Sequence, residues 1–103
     1  MSDIQRYPAG SYIFREGESA RYAYVLQSGT IEILKLGIDG ETVLAELDIK
    51  NTIFGEMALI DGAPRSAGAR AKTDVVVTQV DKPNFLNYVA KHPDAAHNIM
   101  VKL

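Results

Sequence analysis

The chain has 103 residues, with 11 basic and 13 acidic side chains for a net charge of −2. That length holds one compact domain and leaves no room for a regulatory module joined to a catalytic one. Without cysteine, a disulfide framework, a thiolate metal site and a cysteine nucleophile are excluded, and a reducing compartment is permitted. Turn signals then recur along the chain at Ala9-Gly10, Glu16-Gly17, Ser28-Gly29, Asp39-Gly40, Asp61-Gly62 and Lys72-Thr73-Asp74. Their spacing, mostly about seven to twelve residues, is that of short strands in a sandwich or barrel. Between them Tyr12 to Phe14, Tyr22 to Leu26, Ile31 to Leu36, Thr42 to Leu47, Ser66 to Ala71 and Val75 to Val80 are rich in β-branched and aromatic residues and read as strands.

Within the third run Ile31 and Ile33 share one face while Leu34 and Leu36 take the other, so the apolar parity switches and a bulge or burial on both faces is expected. The stretch Gly37-Ile38-Asp39-Gly40-Glu41 reads as a hairpin connection with Gly40 free to take positive φ. At Asp81 the composition changes. Asp81 can cap a helix, Pro83 suits its first turn, and Phe85, Leu86, Val89 and Ala90 form its apolar stripe, ending near His92-Pro93. A second helix is expected from Pro93-Asp94, with Ile99, Met100 and Leu103 on its buried face.

The segment Ile53 to Ala67 carries the chemistry. Glu56 to Leu59 is short for a core helix, yet Gly55 ahead of it lets a ligand approach backbone amides. Arg65, after a Pro64-assisted turn, presents a planar fork suited to two oxygens of a phosphate, and Ser66 adds a hydroxyl. These features argue for a small phosphorylated ligand. Glu56 beside a bound anion is unfavourable unless it accepts from hydroxyls, as a ribose supplies. Singly, each residue has a plainer reading: Glu56 as an acid in a first helical turn, Arg65 as a solvated ion pair, Ser66 as a hydroxyl bonded to its own backbone.

The pattern Phe-Gly-Glu-x-Ala-Leu at 54–59, followed by Pro-Arg-Ser-Ala at 64–67, resembles the phosphate-binding cassette of cyclic nucleotide-binding domains, the family of catabolite activator proteins and protein kinase A regulatory subunits. Tyr7 to Glu18 resembles that family's opening strands and Tyr24 to Gly29 its next one, so the likeness runs over residues 7 to 103. It implies a mainly β fold: an eight-stranded jelly-roll β-barrel with a short cassette helix and C-terminal α-helices. It also implies a ligand-binding set of Gly55, Glu56, Met57, Ala58, Arg65 and Ser66. In that set Glu56 accepts from the ribose 2′-hydroxyl, Gly55 and Ala58 present backbone groups, Arg65 pairs with the cyclic phosphate, and Ser66 also contacts it and leans the preference toward cAMP over cGMP. Several positions depart from the pattern. Arg21 stands where an acid often holds the cassette arginine, Lys50-Asn51 replaces a Gly-Asp turn, and Gly68 occupies a strand position commonly β-branched. The resemblance further implies a single domain over 1–103, lacking the helix that precedes the barrel and with the C-terminal lid helix incomplete at Leu103.

The implied function is non-enzymatic: a signalling sensor whose ligand, cAMP or else cGMP, shifts a hinge around Asp81 to Pro93 and so acts on an effector protein or an output domain missing from the chain. The alternative is a degenerate fold that serves interaction or oligomerisation without ligand. A cupin-type enzyme is disfavoured, since His92 and His97 both fall outside the strands and read as surface residues. No metal or other cofactor is expected. Charge of mixed sign without a basic block argues against direct nucleic-acid binding. No apolar run approaches a membrane span, and the Met1 to Arg6 start is unlike a signal peptide, so the expected address is the cytoplasm. Arg21 reads as solvated, and Phe14, Phe54, Tyr22, Tyr24, Tyr88, Met57 and Met100 read as packing.

Overall fold

The computed structural model describes residues 3–91. Eight strands are present: β1 (Asp3–Tyr7), β2 (Tyr12–Phe14), β3 (Tyr22–Ser28), β4 (Ile31–Gly37), β5 (Gly40–Leu47), β6 (Ile53–Phe54), β7 (Gly68–Ala71) and β8 (Val75–Asp81). Helix α1 (Glu56–Asp61) lies between β6 and β7, and α2 (Lys82–Lys91) follows β8. The strands form two antiparallel four-stranded sheets, ordered β1-β8-β3-β6 and β2-β7-β4-β5. The mainly β fold is thus as expected. Its eight strands make two facing sheets and not a closed barrel, because β1 and β6 bound one sheet and β2 and β5 the other.

Side-chain alternation explains the layering. Tyr24 and Leu26 of β3 point between the sheets, where they join Ile31 of β4, Ala69 and Ala71 of β7, and Val75 and Val77 of β8 in one core. Leu26, Ile31, Leu34, Val75 and Val77 are the largest fully buried side chains, each contributing about 1.5–3 kcal/mol of hydrophobic stabilisation. Ala23 points the other way and packs with Leu59 of α1 and Phe85 of α2, so a second small core fixes both helices on the outer face of the β3 sheet. The parity switch in β4 is a register shift at Ile33/Leu34 in its pairing with β5. It lets Ile31 and Leu34 both be buried, as a bulge permits. Gly37 pairs with Gly40 across a two-residue connection, and Gly40 has φ 108°.

Other readings need correction. Strands β1 and β6 were not expected at these limits: β1 is largely exposed and β6 only two residues long, so neither shows an apolar alternation. Ser66 and Ala67 precede β7 and lie in the loop. In α2 Asp81 caps as expected, its Oδ1 accepting from the Asn84 N–H at 2.9 Å. Its stripe is narrower than the sequence suggested: Phe85 is buried and Val89 half-buried, while Leu86, Ala90 and Tyr88 are exposed because the helix touches the sheet along one line. The expected second helix, both histidines and Met100 lie outside the described residues.

Candidate functional site

Strand β6 pairs with β3 through Tyr24 and Val25 and delivers the chain to Gly55, whose φ of 74° is left-handed. Helix α1 starts there and ends at Gly62, whose N–H donates to the Ala58 carbonyl at 3.0 Å. Pro64 then brings Arg65 back against the turn after β2: the Arg65 N–H donates to the Glu18 carbonyl and the Gly17 N–H to the Arg65 carbonyl, each at 2.8 Å. These two bonds aim the side chain inward. The guanidinium donates from Nη1 to the Gly55 carbonyl at 2.5 Å and from Nη2 to the Tyr22 carbonyl at 2.7 Å. It also lies over the Phe14 ring, 4.0 Å from the centroid. Arg65 is only 5% exposed, and its Nε has no hydrogen-bond partner among the described residues.

Gly55 is required twice over. A side chain there is strained by the positive φ, and a Cβ would lie 2.8 Å from Arg65 Nη1 and 3.0 Å from Phe14 Cε2. The aromatic shelf beneath is continuous, with Phe14 stacked on Tyr24 and Tyr24 on Phe54 at centroid separations of 5.8 and 5.4 Å. Burial lowers the Arg65 pKa, opposed by the fields of Tyr24, Glu18 and Glu56. Burial pushes the Tyr24 phenol up to about 12, with neighbouring Tyr7 adding and Arg65 opposing.

A cavity of about 250 Å³ opens beside this arginine, and Gly55, Glu56, Met57, Ala58, Arg65 and Ser66 all line it. Glu56 and Ala58 are buried, at 6% and 9% exposure. Met57, read both as packing and as part of the ligand set, is exposed because the helix has only one face on the protein, and it lines the cavity. Ser66 is exposed, and its carbonyl accepts from Lys35 Nζ at 2.7 Å. Arg21 is exposed and lines a different cavity, about 380 Å³, which meets Arg65 from the side of Glu18 and Tyr22.

What holds Arg65 was missing from the sequence reading. Its guanidinium is held by the backbone carbonyls of Gly55 and Tyr22 and not by a side chain at position 21, and carbonyls leave no trace in side-chain identity. Asn51 does complete the turn ahead of the site: its φ is 74°, and its N–H donates to the Leu26 carbonyl at 2.7 Å. Gly68 pairs with Leu34 in the ladder. Among the described residues no group of His, Cys, Asp and Glu is arranged to hold a metal.

Residues 4–92 match the family described as the cyclic nucleotide-binding domain. The chain belongs to this family. It is 37% identical over 83 residues to a cAMP-dependent protein kinase regulatory subunit of Pyricularia oryzae, an alignment covering 81% of this chain and 20% of that protein. The crystal structure of the Thermus thermophilus catabolite activator protein superposes with a TM-score of 0.85 at 31% identity, over 97% of this chain and 47% of the other. A cGMP-bound form of the EAL enzyme Bd1971 gives 0.81 at 33% identity, over 95% and 26% respectively. This cyclic nucleotide-binding domain therefore spans less than half of each of these proteins. No helix among the described residues is long and apolar enough to cross a membrane.

Proposed function

We propose that the domain binds a cyclic purine nucleotide, cAMP in preference to cGMP, in the 250 Å³ cavity, and acts as a signalling sensor and not as an enzyme. The observation that carries this reading is the buried guanidinium whose two terminal nitrogens rest on neutral carbonyls while Nε stays unsatisfied. An orphaned buried donor on a full positive charge is costly, and one phosphate oxygen relieves both costs at once. A singly charged cyclic phosphate suits a site that also contains a carboxylate, because Glu56 then accepts from the ribose 2′-hydroxyl instead of repelling a more highly charged group. The Ser66 hydroxyl, at the open side of the cavity, supplies a further donor to the phosphate. The cAMP preference rests on serine at position 66 and on the cAMP-dependent regulatory subunit among the relatives.

Each charge-assisted bond supplies roughly 1.5–3 kcal/mol, and micromolar affinity requires about 8 kcal/mol, so ribose contacts and burial of the base complete the binding. Coupling to a partner runs through the segment after β8. Phe85 of α2 and Leu59 of α1 share one small core with Ala23, so displacement of the cassette helix is felt by α2 and shifts a pre-existing equilibrium of the hinge.

The test is calorimetry with 3′,5′-cyclic AMP, 3′,5′-cyclic GMP and 2′-deoxy cyclic AMP. Cyclic AMP is expected to bind most tightly, and at ~100 times its Kd to raise stability by about 2.7 kcal/mol. The 2′-deoxy analogue should bind about tenfold more weakly, a difference that Glu56→Gln narrows. Absence of heat and of any melting shift at millimolar nucleotide, with the protein shown free of carried-over ligand, overturns the reading.

A further inference from the structure

We propose that Lys35, a residue of β4 outside the cassette but next to β7 in the same sheet, is a positioning residue for the anion-binding loop. This rests on reading the cavity beside Arg65 as the phosphate site. Pairing between β4 and β7 ends at Leu34 with Gly68, so at the next residue of β4 the neighbouring chain is the loop carrying Arg65 and Ser66. Lys35 Nζ reaches across to donate to the Ser66 carbonyl at 2.7 Å and stands 3.6 Å from Glu16 Oε2. The other oxygen of Glu16 accepts from the Leu36 N–H at 3.0 Å, so the carboxylate that steadies the ammonium is itself tied to β4.

The consequence is a clamp with two jaws. On one side the turn after β2 holds the Arg65 backbone through Gly17 and Glu18, and that turn is closed by the Arg15 N–H donating to Glu18 Oε1 at 2.6 Å. On the other side Lys35 fixes the Ser66 carbonyl, and with it the Ser66–Ala67 peptide that ties the loop to the start of β7 just after Arg65. A carbonyl bonded to an ammonium is held more firmly than one bonded to water. Because Lys35 is half exposed, the contribution is screened and moderate.

The experiment compares wild type with Lys35→Met, Lys35→Arg and Glu16→Gln, reading cyclic AMP affinity by calorimetry and amide hydrogen exchange without nucleotide. Lys35→Met should weaken binding about three- to tenfold and speed exchange at the Gly17 and Arg65 amides by a similar factor, leaving the β3 and β8 amides unchanged. Lys35→Arg should restore both to within about twofold, and Glu16→Gln should give a smaller change in the same direction. Unchanged exchange in Lys35→Met overturns the proposal, and weaker binding alongside it identifies a charge acting at a distance. If wild type binds no cyclic nucleotide but exchange at Gly17 and Arg65 responds as expected, the clamp stands and the ligand assignment falls.

Discussion

Arg65 and Arg70 sit at either end of the same short stretch of chain, yet the fold makes opposite use of them. Arg70, on β7, points to the outer face of its sheet, where Nε and Nη2 donate to Glu32 Oε1 at 3.3 and 3.1 Å and Nη1 to Glu41 Oε1 at 3.4 Å. Glu41 is held in turn by the Tyr12 hydroxyl, which donates to it at 2.5 Å. Hydrogen bonding to Glu32 first, and then to Tyr12, raises the Arg70 pKa. Its charge is matched by two carboxylates and has nothing left for a ligand. Arg65 makes no ion pair within 4.0 Å among the described residues. Carbonyl dipoles orient it without neutralising it. A positive charge held by neutral partners in an apolar surrounding retains its attraction for an anion, whereas one already paired does not.

Three substitutions probe that contrast. The largest effect is expected for Arg65→Ala, which should lower cyclic AMP affinity about a hundredfold in calorimetry, the upper end for losing a charge-assisted bond in a buried site. Equal binding by wild type and variant breaks the comparison outright. Gly55→Ala comes next. Strain of ~1–2 kcal/mol at its positive φ, together with displacement of the guanidinium, should lower the melting temperature and weaken binding about tenfold. The smallest effect belongs to Arg70→Gln: a loss of about 0.5–1 kcal/mol in urea unfolding and affinity within about twofold of wild type. A tenfold loss of affinity there shows that the two arginines are coupled through β7.

The cassette was legible because its parts are close in sequence and chemically distinctive. Gly55, Glu56, Ala58, Arg65 and Ser66 belong to one segment, and the structure gathers them around one cavity. The supports were not legible. Tyr22 acts through its carbonyl, Phe14 lies beneath the guanidinium from a distant strand, and Lys35 reaches in from β4, far away in the chain. Residue identity says little about such contacts, because a carbonyl is common to every residue and a ring or an ammonium has many uses. Misjudged exposures have a similar origin: Met57, Leu86 and Tyr88 are apolar enough for a core, but their short helices present only one line of residues to the protein.

The amino-acid sequence by itself determined the strand rhythm, the parity switch in β4, the hairpin at Gly40, the cap at Asp81 and the family, since each depends on local backbone preference or on a contiguous pattern. Only the tertiary structure decided that the strands divide into two open sheets and that backbone carbonyls hold Arg65. Those outcomes arise when segments far apart in the chain compete for the same buried space. The winner is set by packing and desolvation across the whole domain, which no single stretch of residues encodes.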